Sequence, residues 1–232
     1  MKQGFVKVAS ATPRIRVADP VYNAQVICEQ AKEAAEHGAK IVVFPELCIT
    51  GYTCNDLFLQ ELLLEKAKEA LLTIAEETGQ LETLFLVGLP VDKDGRLYNV
   101  AAVLYRGRIL GMIPKKNIPM YAEFYEGRHF TPGEETVTEY RLGKQVIPFG
   151  SNLLFRCEEL PELILGCELC EDLWVAEPPS TSHALMGATV IANLSASNET
   201  VSKDDYRTLL IKASSARLLC GYIYTSAGEG ES

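Results

Sequence analysis

The chain has 232 residues, of which 47% are hydrophobic and 23% charged, with a formal net charge of -9. That balance excludes a disordered, collagenous or wholly coiled-coil polypeptide and supplies enough chain for the core of one large domain. An acidic chain lacks the basic surface that phosphate-backbone binding needs, so nucleic acid is not expected as a partner. No apolar run approaches the ~18 residues that span a bilayer, so no membrane partner is expected either. With no signal-peptide pattern after Met1-Lys2-Gln3-Gly4, a cytoplasmic location is expected. The seven cysteines are an odd number, and several lie inside apolar runs, which argues for reduced core residues over a disulfide framework.

Strand-length apolar runs alternate with amphipathic helical stretches, the pattern of an α/β fold. Phe5 to Ala9 reads as a first strand. Asp19-Pro20 supplies an N-cap followed by proline at the first helical position, and the helix runs to His37 with Gly38 as its stop. Lys40 to Phe44 is a continuous apolar run, as in a strand covered on both faces. Asp56 is expected to cap a second helix carrying Leu59, Leu62, Leu63, Ala67, Ala70, Leu71 and Ile74 at helical spacing. Leu84 to Gly88 opens a strand-rich section in which Asp94-Gly95 and Arg106-Gly107 mark hairpin turns joining Leu97–Tyr105 and Arg108–Ile113. Residues 114–145, rich in Pro, Gly, Tyr and charge, are expected to be a long functional loop. Strands are expected at Leu153–Phe155, Leu163–Cys167, Thr189–Asn193 and Tyr222–Tyr224, with helices at Ser180–Met186 and Asp204–Leu219. No linker or repeat divides residues 1–232, so a single domain is expected.

Three polar residues stand just beyond apolar runs: Glu46, Lys115 and Cys170. Should those strands end on one rim, a carboxylate, an ammonium and a thiol meet there. A thiol is weakly ionised at neutral pH and needs a base or a cation to act as a nucleophile. Glu46 could take its proton, and Lys115 could stabilise a thiolate and a tetrahedral oxyanion. The bland readings are a solvated loop glutamate, a surface Lys115-Lys116 pair and an inert buried cysteine.

The segments Val43-Phe44-Pro45-Glu46, Pro114-Lys115-Lys116-Asn117-Ile118-Pro119 and Cys170-Glu171-Asp172 occur in the order and spacing of the nitrilase, or carbon–nitrogen hydrolase, superfamily, which the chain resembles over essentially its whole length. That resemblance implies an α-β-β-α sandwich and a Glu-Lys-Cys triad at Glu46, Lys115 and Cys170. Lys116 is the rival cation, and spacing to Pro119 and Glu126 favours Lys115. Glu126 matches a second glutamate that positions the lysine. Pro45–Tyr52, Tyr121–Glu126, Cys170–Trp174 and Asn193–Ser197 resemble the glutaminase domain of the glutamine-dependent NAD+ synthetase family.

That closer resemblance implies hydrolysis of glutamine to glutamate and ammonia through a cysteine thioester, the ammonia serving NAD+ synthesis from deamido-NAD+. It also implies a homo-oligomer and a synthetase domain in cis, expected to be absent from residues 1–232 and to be where ATP and Mg2+ belong; no cofactor or metal is expected for this part. The ending Ser226–Ser232 resembles the point where the family continues with further strands, so a sandwich cut short at its C-terminal end is expected. Tyr121, Glu171, Ser197 and Lys203 match positions that hold glutamine, with Trp174 offering backbone contacts; Lys203 stands where relatives often carry Arg. The rivals are a stand-alone amidase for another small amide and a non-catalytic scaffold or redox domain built on Cys167-Glu168-Leu169-Cys170. A strand-end position for both cysteines and the lack of a second such pair weaken the redox and zinc readings.

Overall fold

The computed structural model describes residues 4–231. Two sheets lie face to face with a helical pair outside each, and the residue alternation of the strands explains why. In β2 (Ile41–Val43), Ile41 and Val43 point between the sheets while Val42 points to the outer helices. The same division recurs in β3 (Leu84–Lys93) and β4 (Arg96–Tyr105), where Leu86, Ala101 and Val103 face inward and Phe85, Val87, Val100 and Ala102 outward.

The larger sheet also contains β1 (Val8–Ser10), β5 (Arg108–Pro114), β6 (Thr138–Leu142) and β7 (Gln145–Phe149), in the order β1-β2-β3-β4-β5-β7-β6. The smaller sheet runs β11-β10-β9-β8, from Gly221–Ser226, Val190–Ser195, Ile164–Leu169 and Leu154–Arg156. Leu165, Cys167, Leu169, Ala192, Leu194 and Ile223 of this sheet close the inner core against the larger one. This is the α-β-β-α sandwich that the sequence motifs imply.

Helix α1 (Pro20–Glu36) buries Asn23, Ala24, Ile27, Cys28 and Ala31 on one face, and Asp19 caps it by accepting from the Tyr22 N–H at 3.1 Å. Helix α2 (Glu61–Glu77) buries Leu63, Ala67, Ala70, Leu71, Ile74 and Ala75 beside it. Outside the smaller sheet, α3 (Pro179–Leu185) and α4 (Lys203–Leu218) cover β9 and β11. Gly166 is required there, because a Cβ at that position would lie 2.9 Å from the His183 side chain. The hairpin turns at Asp94-Gly95 and Arg106-Gly107 have positive φ at both central residues, the geometry that suits the twist of paired strands. No helix among the described residues is long and apolar enough to cross a membrane.

Three expectations are corrected. The first strand is Val8–Ser10, three residues beyond the predicted start, because pairing with Ile41–Val43 fixes its register. The Phe5–Lys7 part of that expectation is not strand. Asp56 does not cap α2, whose N-cap is Gln60; Asp56 instead accepts from Arg128 at 2.8 and 3.0 Å and contacts His129 at 3.1 Å. The predicted loop 114–145 contains β6 and the first residue of β7, a hairpin turning at Gly143, whose φ is 57°.

Candidate active site

Glu46, Lys115 and Cys170 follow β2, β5 and β9, three strand ends that the two facing sheets bring to one place. Glu46 is tied to the end of β10 twice: its N–H donates to Ser195 O at 3.3 Å, and its Oε2 accepts from the Ala196 N–H at 3.0 Å. Its Oε1 accepts from Lys115 Nζ and from Asn99 Nδ2, each at 2.7 Å. Lys115 Nζ also donates to Glu126 Oε1 at 2.6 Å, and the Tyr52 hydroxyl donates to that same oxygen at 2.8 Å. Glu46 and Lys115 are completely buried and Glu126 is 5% exposed, so one cation stands between two carboxylates with solvent excluded.

The backbone at this place is shaped as well as the side chains. Cys170 has φ 39° and Leu47, directly after Glu46, has φ 51°. Such positive values cost about 1–3 kcal/mol each for residues with a Cβ and persist where the surroundings enforce them. For Cys170 the enforcing contact is Asn193, whose Oδ1 accepts from the Cys170 N–H at 3.2 Å. Asp172 fastens the cysteine turn to the lysine segment: its carboxylate accepts from the Leu169 N–H at 3.0 Å and from the Asn117 N–H at 2.7 Å. Beneath Glu46 runs Gly88 of β3, where a Cβ would lie 2.3 Å from Leu47 N and 2.8 Å from Glu46 C.

Burial dominates the electrostatics. It pushes the Glu46 carboxyl up to about 7, with Lys115 and the Asn99 hydrogen bond pulling the other way. Burial alone would lower the Lys115 ammonium, but Glu46 and Glu126 outweigh it and hold it well above the usual lysine range. Burial and then the Glu46 charge push the Cys170 thiol up to about 12, opposed by Lys115 and a contact with the Ser195 hydroxyl. The resting thiol is therefore protonated, beside a carboxylate near its own midpoint at neutral pH.

Lys116, the rival cation, points away and pairs with Glu135 at 2.5 Å on the surface. The residues matched to a substrate pocket form a chain of contacts beside the site. The Tyr121 hydroxyl donates to Glu171 Oε2 at 2.9 Å, and the Tyr121 ring meets Phe124 edge-on at 5.6 Å. Lys203 Nζ lies 5.8 Å from the Phe124 ring and 5.3 Å from the Trp174 ring, and it contacts Asn198 Oδ1. Ser197 sits just past β10, its N–H donating to Ser226 Oγ at 3.2 Å. Burial raises the Glu171 carboxyl, and burial with the bond to Glu171 raises the Tyr121 phenol to about 12.

Tyr52, Phe124, Asp172 and Asn193 lie inside the motif segments but were given no role from the sequence, and Asn99 was not singled out at all. Asn99 left one usable signal: a fully polar amide inside an apolar strand run must find partners when buried.

The chain matches the carbon-nitrogen hydrolase family over residues 7–225. It is 42% identical over 231 residues to the glutamine-dependent NAD(+) synthetase of Mycobacterium tuberculosis, a match covering all of this chain and 34% of that protein. With the glutamine-dependent NAD(+) synthetase of Thermotoga maritima it shares 33% over 234 residues, covering all of this chain and 37% of that protein. The chain thus spans about a third of the length of these curated relatives. The crystal structure of a glutamine-dependent NAD(+) synthetase from Cytophaga hutchinsonii superposes with a TM-score of 0.85 at 28% identity, over 97% of this chain and 36% of that one. An amidase from Nesterenkonia sp. shares the fold, with a TM-score of 0.73 at 20% identity over all of this chain and 80% of that one. Sandwich, strand-end site and sequence together place the chain in the carbon-nitrogen hydrolase family.

Proposed function

We propose that the chain hydrolyses the side-chain amide of glutamine to glutamate and ammonia, with Cys170 as nucleophile, Glu46 as general base and Lys115 as electrostatic stabiliser. The observation that carries this reading is the buried Glu46–Lys115–Glu126 cluster beside Cys170, in a chain matched along its whole length to glutamine-dependent relatives.

In the first half, the Cys170 proton passes to Glu46 as sulfur bonds to the amide carbon. The oxyanion forms in a dry site where the Lys115 ammonium is undiluted by solvent, which is where such stabilisation is strongest. Glu46 then returns the proton to the amide nitrogen, the C–N bond breaks and ammonia leaves, with a thioester on Cys170. In the second half, water loses a proton to Glu46 and attacks the thioester carbon, and the proton returns to sulfur as glutamate departs. Glu126 and Tyr52 hold Lys115 in place throughout.

Glutamine also presents an α-ammonium and an α-carboxylate. Glu171, backed by Tyr121, suits the first, and Lys203 beside Trp174 suits the second as a point charge rather than a bidentate fork. Ser197 adds a hydroxyl at the end of β10. The released ammonia would serve a synthetase domain in cis that converts deamido-NAD+ to NAD+ with ATP and Mg2+, within a homo-oligomer. The hydrolytic steps themselves draw on neither cofactor.

The test is glutamate release from glutamine by the full-length polypeptide, with Cys170→Ala as control, and labelling by a diazoketone analogue of glutamine. Stoichiometric modification of Cys170 and loss of turnover in the variant are expected. Turnover of other small amides with none of glutamine would make the chain an amidase of different specificity. Absent turnover, with labelling spread over Cys48, Cys54 and Cys167, would make it non-catalytic.

A further inference from the structure

Asn99 is completely buried in β4, and its amide is half satisfied. Nδ2 donates to Glu46 Oε1 at 2.7 Å and reaches Glu126 Oε2 at 3.5 Å. Oδ1 has no hydrogen-bond partner among the described residues. A buried, unpaired acceptor is destabilising, yet turning the amide over would set Oδ1 against two carboxylates. The carboxylates therefore dictate the orientation of this side chain, at the expense of its other end.

The consequence lies on Glu46. A carboxylate oxygen offers two lone-pair positions. On Oε1 both are engaged, one by Lys115 Nζ and one by Asn99 Nδ2. On Oε2 the Ala196 N–H engages one. We propose that Asn99 is a positioning residue that, with Lys115, saturates Glu46 Oε1, leaving Oε2 as the oxygen that takes the Cys170 proton and keeping Glu46 ionised opposite Glu126. This deepens the reading of Glu46 as base and Cys170 as nucleophile and rests on it. The groups facing Glu46 are Lys115 from the end of β5, Glu126, the Tyr52 hydroxyl and Cys170. Among its side-chain hydrogen-bond donors, Asn99 is the neutral one, so its removal changes hydrogen bonding without removing a charge.

The measurement is the rate of Cys170 alkylation by iodoacetamide against pH, in the full chain, beside glutamine hydrolysis. Alkylation requires no assumption about the substrate. In the unaltered chain its rate should rise as Glu46 ionises. Asn99→Ala and Asn99→Leu both remove the donor but differ in volume, so a folding defect in one leaves the other to be read. Without the donor the ionised carboxylate is less favoured, and the rise should move to higher pH by about one unit. At neutral pH kcat should fall about tenfold with KM little changed. A variant that melts cooperatively and at lower temperature, yet keeps the original pH midpoint, would reduce Asn99 to packing and overturn the proposal. A shifted alkylation profile in a chain that does not hydrolyse glutamine would uphold the role of Asn99 and reject the substrate. Alkylation with no rise at all in the unaltered chain would remove Glu46 as base and this inference with it.

Discussion

Replacing Lys115 by methionine keeps most of the side-chain volume and deletes the one cation between Glu46 and Glu126. Lys115 is completely buried and makes contacts of 2.7 and 2.6 Å to the two carboxylates, so neither solvent nor another cation can take its place. Breaking a buried pair by removing one partner costs about 3–5 kcal/mol, a large share of the ~5–15 kcal/mol that holds a domain together. The pH dependence is more diagnostic than the size. Glu46 has its carboxyl raised to about 7 in the folded chain. Its contribution to stability is thus greatest below the unfolded value, declines as pH rises through the folded one, and is level above about 7. In Lys115→Met the two carboxyls face each other without a cation, and the pair holds a proton to higher pH. Stability of the variant should go on falling above pH 7 while that of the parent does not. One linked proton corresponds to about 1.4 kcal/mol per pH unit, so the gap between variant and parent should widen by up to about 2 kcal/mol between pH 7.0 and 8.5. Urea unfolding at pH 5.5, 7.0 and 8.5 measures this. A gap that is constant with pH, or smaller than about 1 kcal/mol, would refute the argument that the cation is what makes the buried carboxylates tolerable.

Glutamine hydrolysis should fall about tenfold per pH unit below about 7, because in the proposed mechanism Glu46 accepts the thiol proton only when ionised and burial raises its carboxyl to about 7; a rate flat from pH 5 to 8 would remove Glu46 as base. Gly88→Ala should cost about 1–3 kcal/mol in thermal or urea unfolding, since its Cβ would lie 2.6 Å from Pro45 O and 2.8 Å from Glu46 C. The same substitution should lower turnover about a hundredfold by displacing the Glu46 backbone, and normal kinetics would contradict that placement. Lys116→Ala, which loses a surface pair with Glu135, should change stability by less than about 1 kcal/mol and leave turnover at the parental level.

What could be read from the sequence depended on whether the determining contact is local. The Asp19-Pro20 start of α1 and the Asp94-Gly95 and Arg106-Gly107 turns are set by a few adjacent residues, and each forms as its residue types demand. Asp56 has the right chemistry for a cap, but its carboxylate is claimed by Arg128 and His129, more than seventy positions along the chain, and α2 begins without it. The β6–β7 hairpin escaped notice because it is an edge ribbon in which Tyr140, Ile147 and Phe149 are buried among exposed neighbours, too sparse to stand out from a polar loop. The site divides the same way. Glu46, Lys115 and Cys170 each stand at the end of an apolar run, a position visible in one dimension. Asn99 and Tyr52 meet the glutamates through tertiary contacts alone. Tyr52 ends the Pro45–Tyr52 segment with no local sign of its contact with Glu126, and Asn99 shows only as a polar residue in an apolar run.

The proposed mechanism also accounts for how a thiol as deeply buried as Cys170 would act as a nucleophile. Were Cys170 ionised at rest, the site would hold three negative groups around Lys115, and burial with the Glu46 charge drives the thiol to about 12 against that outcome. The proton can leave sulfur only as negative charge moves onto something else that the site favours. Bond formation to an amide carbon provides this, because it transfers the charge from sulfur to a carbonyl oxygen that can lie against the Lys115 ammonium. In the proposed mechanism, proton transfer to Glu46 and attack on carbon are then one event, and the thiolate never has to exist free. In that mechanism, the burial that disfavours a resting thiolate leaves the sulfur to react with a substrate whose oxygen reaches Lys115. An electrophile with no such oxygen should therefore react with Cys170 far more slowly than an amide-shaped one of equal intrinsic reactivity. Acrylamide, whose carbonyl oxygen takes up the charge as sulfur adds, against methyl iodide, each referenced to a free thiol, measures the difference, and equal relative rates would mean that Lys115 takes no part in activating the sulfur.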